Sequence, residues 1–414
     1  MPADAVLDDL VKVADGRVRE ARPDDAVDGI PPRYVATPGS TAETSELLRV
    51  AARHGLHVVA RGSGTKQDWG NSPTQVDLVV QTTSMAGVVE HAAGDLITVV
   101  RAGTIVSDLQ AALAGANQQL ALDTPIPSAS VGGTVATDTS GPRRLLYGTM
   151  RDLLIGITFV RADGVIAKAG GKVVKNVAGY DFGKLMIGSF GTLGVVTEVA
   201  LRLHPVPMTQ GVVSVMTPDG DAAARVARRV LGSQVVPAAV EVDQPAEGPV
   251  AVAVLLQGIE AGVEARTAAT VALLGAGGTV GEAPGWFGAY PFGAGDLGLK
   301  ITATLTGVGP VLQAVRAAGR RHTVPVSVRG SAGGVLYASM PPDTAPEVVA
   351  LALEELRAAA AVYDGTVVVL TGPAATRRGL DVWGPVGGLD LMRRLKDQLD
   401  PDHLLSPGRF VGGI

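Results

Sequence analysis

The chain of 414 residues contains no cysteine. That excludes disulfides, a thiolate metal site and an iron–sulfur cluster ligated by this chain. Any electron transfer it takes part in needs a redox centre from another group. Aromatic residues make up only 4% and charged residues 18%. No run approaches the roughly 18–20 apolar residues that would span a bilayer. The six histidines, His54, His57, His91, His204, His322 and His403, form no H-x-x-x-H pair, so no metal site is expected. Basic residues are also short: 35 against 40 acidic ones, a net charge of −5, which argues against a nucleic-acid binder. The N-terminus places Asp4, Asp8 and Asp9 where a signal peptide would carry positive charge and an apolar run. A cytoplasmic protein is expected, with room for a peripheral place on the inner face of a membrane through partners.

What is present is apolar material, 46% of the residues, enough for buried cores and too much for disorder. The length suggests two or three domains. Residues 31–65 read as turn, helix, strand and glycine loop. Ser40 and Glu43 have capping-box spacing, Leu47, Leu48 and Ala51 follow at helical intervals, and Gly55 suits a left-handed stop. Strands follow at 76–80 and 95–103 and a helix at 104–116. After a turn-rich stretch over 123–148, two strands are joined by Asp163-Gly164, a hairpin signal. From residue 208 the order strand, helix, strand, strand, helix occurs twice. That order suggests a split βαβ arrangement, an antiparallel sheet with helices on one face. The fold class is α+β, in four segments: 1–30, 31–207, 208–385 and a C-terminal helix and tail over 386–414.

Three glycine-rich stretches bear on chemistry. The first, "VVARGSGTKQDWG" at 58–70, fails the G-x-G-x-x-G fingerprint at Gln67 and the P-loop ending because Lys66 precedes Gln67. Its backbone amides can converge on an anion, with Arg61 and Lys66 as flanking positive charges. Alone it fits an ordinary strand-to-loop turn equally well. The second, "TPIPSASVGGTVATDTSGPRRLLYG" at 124–148, has Ser130-Val131-Gly132-Gly133 opening a short helix whose amides are free to face a phosphate or a cofactor ring. The third, "GSFGTLGVVTEVALRLHP" at 188–205, is a glycine turn feeding an apolar strand.

In this order and spacing, R-G-S-G-T, P-S-A-S-V-G-G, Y-G, V-K-N-V-A-G-Y-D and G-S-F-G-T-L-G-V-V-T-E-V resemble the FAD-binding domain of the vanillyl-alcohol-oxidase-type (PCMH-type) flavoproteins. Within them the chain is similar to the FAD-binding subunits of bacterial glycolate oxidase. The resemblance covers about residues 31–207 and resumes in the tail "LMRRLKDQLDPDHLLSPGRF". It implies a two-subdomain PCMH-type FAD-binding domain, a ferredoxin-like (split βαβ) cap domain and a C-terminal helix and tail returning to the FAD domain. FAD would lie between the two subdomains, with the amides of Gly62, Ser63, Gly64 and Thr65 around the pyrophosphate beside Arg61. Pro127, Ser130, Val131, Gly132 and Gly133 would line the flavin and ribityl side, and Gly141, Tyr147 and Gly148 would close the loop. Gly194, Val195 and Val196 would bracket the adenine, and Asn176 would lie beside the flavin. Neither of the first two loops holds a His or Cys over 61–70 or 130–148, so the FAD is expected to be non-covalent.

The resemblance further implies oxidation of a small 2-hydroxy acid, glycolate or D-lactate, by hydride transfer to flavin. The partners would be a larger homologous flavin subunit and an iron–sulfur subunit. Related dehydrogenases use a histidine base and a histidine-rich metal site, yet segment 208–385 holds only His322, beside Arg320 and Arg321. The remaining catalytic candidates are Lys175, which would stabilise reduced flavin or a substrate carboxylate, Tyr180, and Arg329, a carboxylate clamp or a solvated strand-end arginine. Lys168, Lys172 and Lys184 read as a solvated face. In the tail, Ser406 stands before Pro-Gly where the family has Asn. Two alternatives stay open: a stand-alone FAD-dependent D-2-hydroxy-acid dehydrogenase, and a non-catalytic FAD-binding scaffold subunit.

Overall fold

The computed structural model describes residues 3–172 and 180–414, which fall into two compact units. The first comprises Met1–Ser140, Thr149–Val206 and Val386–Ile414; the second, Gly141–Gly148 and Pro207–Pro385. Among the described residues no helix is long and apolar enough to cross a membrane.

Two larger sheets build the first unit, besides a two-stranded pair of Gln118–Gln119 with His204–Pro205. One is built from β1 (Val18–Glu20), β2 (Tyr34–Ala36), β3 (Val58–Arg61) and β4 (Leu78–Gln81) in the order β1-β2-β4-β3, with helices α1 (Ala3–Val13) and α2 (Thr41–His54). β2, β4 and β3 are parallel, and α2 is the crossover that a parallel pair requires. The hydroxyl of Ser40 caps α2 by accepting the Glu43 amide at 3.1 Å, while the Glu43 carboxylate takes the Gly39 amide at 3.0 Å. Gly55 ends the helix at φ 61 with its amide turned back to Ala51 and Ala52. Leu47, Leu48 and Ala51 then meet Val58, Leu78 and Val80 in one buried cluster. The outer side of β3 is covered by the tail: the Val58 amide donates to the Leu404 carbonyl at 2.7 Å, and its carbonyl accepts the Ser406 amide at 2.8 Å. A strand that would otherwise be an open edge is thereby paired.

The other sheet contains β5 (Val88–Ala92), β6 (Ile97–Arg101), β7 (Leu154–Val160), β8 (Ile166–Gly170) and β9 (Val195–Arg202), antiparallel in the order β5-β6-β9-β7-β8. The strand expected from residue 95 begins at Ile97, because Leu96 adopts φ 56. The β7–β8 hairpin turns at Asp163-Gly164 as read from the sequence; Asp163 accepts the Val165 amide at 3.0 Å and Gly164 has φ 78. Helices α3 (Val106–Ala114) and α4 (Val131–Ala136) bury Leu109, Leu113, Val131 and Val135 with Phe159 and Val199 of this sheet.

The second unit is one eight-stranded sheet. Its strands are β10 (Thr209–Thr217), β11 (Ala239–Gln244), β12 (Val250–Gly258), β13 (Thr279–Gly281), β14 (Leu297–Thr302), β15 (Ser327–Ser331), β16 (Val335–Met340) and β17 (Val367–Thr371). The order is β13-β10-β12-β11-β15-β16-β14-β17, with every pairing antiparallel. Alternate strand residues, among them Val240 and Val242, Val252 and Val254, and Leu299 and Ile301, pack with helices α5 (Gly220–Leu231), α6 (Glu260–Leu274), α7 (Val308–His322) and α8 (Pro346–Ala361). This is the period of two expected of a sheet with helices on one face. The fold is α+β, as the sequence indicates. The short exposed strand β13 has no forerunner in the pattern; all three of its residues face solvent. Helix α9 (Leu389–Leu399) belongs to the first unit.

Candidate functional site

β3 ends at Arg61 and delivers the glycine loop, and in the first unit that loop is locked to the second glycine-rich segment. The Ser130 amide donates to the Ser63 hydroxyl at 3.1 Å. A Cβ on Gly62 would stand 1.9 Å from the Ser130 hydroxyl, so only glycine permits this approach. Gly132 presses on Ala102 and Gly194 on Phe159, where an added Cβ would come within 2.8 Å in each case. The result is a cavity of about 660 Å³, its solvent mouth included, lined by the 60–67 loop, the first turn of α4, residues 190–196 and Arg409 from the tail.

The electrostatics of this cavity are one-sided. Among the described residues its lining includes Arg61, Lys66 and Arg409 and no Asp or Glu, in a chain whose net charge is −5. The three cations are not equivalent. The Arg61 guanidinium donates to Asp25 Oδ1 at 3.0 Å and Gln81 Oε1 at 2.9 Å. Asp25 is also gripped by Arg19 at 2.6 and 2.9 Å. That grip, with the Arg22 amide and Arg61, holds its carboxyl well below the usual carboxylate range. Arg409 donates to the carbonyls of Gln67 at 2.7 Å and Trp69 at 3.1 Å, strapping the far end of the loop. Lys66 is 6% exposed, and its ammonium has no hydrogen-bond partner among the described residues. It lies over the ring of Trp69, 5.7 Å from the ring centre. Burial pushes its pKa down to about 8.

Of the residues the sequence nominates for the cofactor, Arg61, Gly62, Ser63, Gly64, Thr65, Ser130, Gly132, Gly133, Gly194 and Val196 all line this one cavity. Val131 and Val195 are fully buried in the cores behind it. Pro127 lies outside the lining, its carbonyl taken by the Ser107 amide at 3.2 Å. Gly141, Tyr147 and Gly148 belong to the second unit, where the Tyr147 hydroxyl donates to Gln257 at 3.2 Å. One expectation is corrected. The amides that open α4 are not free for a ligand: Val131 donates to Thr104 at 2.8 Å, Gly132 to Ala102 at 2.8 Å and Gly133 to the Ser130 hydroxyl at 3.2 Å. By contrast, the amides of Gly62, Ser63, Gly64 and Thr65 donate to nothing among the described residues.

Lys175 and Asn176 lie outside the described residues. Tyr180 is 88% exposed and does not line the cavity. In the second unit, the Arg329 guanidinium donates to Asp243 at 2.6 Å and to the Tyr290 carbonyl at 3.2 Å. His322 pairs with Glu355 at 3.1 Å. Of the lysines read as a solvated face, Lys172 pairs with Glu90 and Lys184 donates to the Arg151 carbonyl. Gln67, Phe190, Gly191 and Arg409 join the lining without having been singled out in the sequence. Nothing local marks them, since Arg409 is more than three hundred residues from the loop it holds. Among the described residues no cluster of His, Asp or Glu is placed to hold a metal.

The donor set fits an extended anion carried on a flat group. Unengaged amides and an unpartnered ammonium meet the charge, and bare glycine backbone admits the ring.

Comparison with known proteins agrees with this geometry. Residues 32–170 match the FAD binding domain family, and residues 382–410 match the C-terminal domain of FAD linked oxidases. Glycolate oxidase subunit GlcD of Bacillus subtilis is 36% identical over 219 residues, 52% of this chain and 46% of that protein. Glycolate oxidase subunit GlcE of Escherichia coli is 38% identical over 152 residues, 36% of this chain and 43% of that protein. The chain thus spans less than half the length of each of these relatives. The crystal structure of p-cresol methylhydroxylase with substrate bound shares the fold. Its TM-score is 0.78 at 14% identity, with 98% of this chain and 96% of that chain covered.

Proposed function

We propose that this chain, which carries an FAD-binding domain and the C-terminal segment of the FAD-linked oxidases, is the FAD-binding subunit of a glycolate-oxidase-like complex. It oxidises a small 2-hydroxy acid, glycolate or D-lactate, to the 2-oxo acid. The observation that carries the cofactor assignment is the cavity in which four unengaged amides, Gly62 to Thr65, face a lining that holds three cations and no carboxylate. Such a lining binds an anion without further rearrangement. When bound, FAD supplies the acceptor for the hydride. The chain's own residues would hold it: the 62–65 amides would take the diphosphate, Gly132 and Gly133 would leave backbone open to the ring, and Gly194 and Val196 would line the adenine end. No His, Cys or Tyr occurs among the described lining residues, which supports the reading of a non-covalent FAD. The chain has no cysteine to ligate an iron–sulfur cluster, and we assign the onward transfer of electrons to an iron–sulfur partner subunit.

Purified chain is reconstituted with FAD and mixed anaerobically with glycolate or with D-lactate. Absence of a yellow holoprotein sinks the cofactor reading. Bleaching of the flavin by the chain alone supports independent catalysis, and bleaching only with the partner subunits supports the complex.

A second reading, a scaffold that binds FAD without performing chemistry, is favoured by one specific observation. Arg329, the sequence's carboxylate clamp, is already held by Asp243 and the Tyr290 carbonyl, and the one histidine of the second unit is held by Glu355. Under this reading, substitution at Arg329 leaves the activity of the assembled complex unchanged.

A further inference from the structure

Lys66 is the anomaly of the cavity. A buried ammonium without a partner is costly, and folded chains pair or expel such groups. The same unit shows what a paired lysine looks like. Lys396, fully buried, gives its ammonium to Asp400 at 2.6 Å and to the carbonyls of Thr192 at 2.8 Å and Leu405 at 2.9 Å. Lys66 has no such set, whereas Arg61 is paired with Asp25 and Gln81 and Arg409 donates to the carbonyls of Gln67 and Trp69.

The loop is held in place by contacts that do not involve the Lys66 ammonium. Arg409 clamps the carbonyls of Gln67 and Trp69, and Ser63 is tied to Ser130. Lys66 therefore lines a preformed cavity next to the unengaged amides of residues 62–65, with its ammonium buried over the Trp69 ring.

We propose that Lys66 is the charge partner of the cofactor's diphosphate, an ionic contact that the free protein leaves unmade and that the bound cofactor completes. This rests on the FAD reading above and deepens it. The amides confer shape, whereas Lys66 supplies a positive charge that no hydrogen-bond partner among the described residues engages. It also makes cofactor binding a proton-linked event. In the free protein, burial leaves the Lys66 amine partly deprotonated at mildly alkaline pH; beside a diphosphate it is fully protonated.

The test compares the wild-type chain with Lys66→Met, and with Lys66→Gln should the first variant fail to fold. Titrations use FAD, ADP (a diphosphate without flavin) and riboflavin (flavin without phosphate). Loss of one charge-assisted contact weakens FAD and ADP binding by about 10- to 100-fold and leaves riboflavin binding unchanged. Calorimetry at pH 8.5 in two buffers of different ionisation enthalpy reads the proton. Wild type takes up roughly three-quarters of a proton per FAD bound, and the variant takes up none. Equal FAD affinity in wild type and variant, or equal proton uptake, overturns the proposal while leaving the cofactor assignment intact. A wild-type chain that binds neither FAD nor ADP overturns both.

Discussion

Replacing Lys396 with methionine should cost the first unit far more than an exposed lysine would, and the structure sets the scale. The Lys396 side chain and its partner Asp400 are both fully buried. Methionine keeps the packing volume but removes the ammonium from three acceptors at once. The Asp400 carboxylate is then left buried with only the Leu404 and Leu405 amides, at 3.0 and 2.7 Å, to satisfy it. Breaking a buried pair by removing one partner costs about 3–5 kcal/mol. At about 2–4 °C per kcal/mol for a domain of this size, the first thermal transition should fall by roughly 6–20 °C. A companion variant sharpens the reasoning. Simple buried pairs are often replaced without loss by two apolar residues, but this one also satisfies four backbone groups: the carbonyls of Thr192 and Leu405 and the amides of Leu404 and Leu405. Each, left unsatisfied, costs about 1–3 kcal/mol. Lys396→Met combined with Asp400→Leu should therefore stay well below wild type in a melt followed by circular dichroism. A double variant melting at the wild-type temperature would refute the view that the pair acts as a backbone clamp. Because Thr192 belongs to the segment that supplies Phe190, Gly191 and Gly194 to the cavity, both variants should also bind FAD more weakly in a fluorescence titration.

Other outcomes follow from the same contacts. Gly62→Ala drives a methyl into Ser130; overpacking of this kind costs about 1–3 kcal/mol, and FAD loading, read from the flavin-to-protein absorbance ratio, should collapse while Ser130→Gly in the same background partly restores it. Ser40→Ala removes the cap of α2 and should lower stability by about 1 kcal/mol in urea unfolding, without changing FAD affinity. The Lys66 amine is depressed to about 8 in the folded free chain against an ordinary 10.5, so between these values the unfolded chain binds more protons and stability rises with pH. Melts of cofactor-free protein from pH 7 to 10 should show this rise relative to Lys66→Met, and parallel curves for the two proteins would contradict it.

Much of the fold is legible along the chain because it is written in local pattern. The Ser40 and Glu43 cap, the Gly55 stop, the Asp163-Gly164 turn and the alternating valines of β11 and β12 each act within a few residues, and each behaves in the structure as its chemistry dictates. Strand β13 escaped because three exposed residues carry no burial pattern. The site is legible in its glycines for the same reason: Gly62, Gly132 and Gly194 mark close approaches that no other residue tolerates. It is less legible at its hydrogen bonds. The amides of Val131 and Gly132 look available where α4 begins, but the carbonyls of Thr104 and Ala102, from a segment some thirty residues earlier, have taken them.

By itself, then, the sequence determined the α+β class, the repeated strand–helix order of the second unit and the glycine loops that must touch. Only the tertiary structure decided which charges those loops expose. Arg61 and Lys66 flank the same turn and are equivalent on paper. Asp25, from the short turn after β1, neutralises the first and Gln81 of β4 adds a hydrogen bond, while among the described residues no carboxylate pairs with the second. Backbone conformation is set by neighbours in the chain, but a charge is satisfied by neighbours in space.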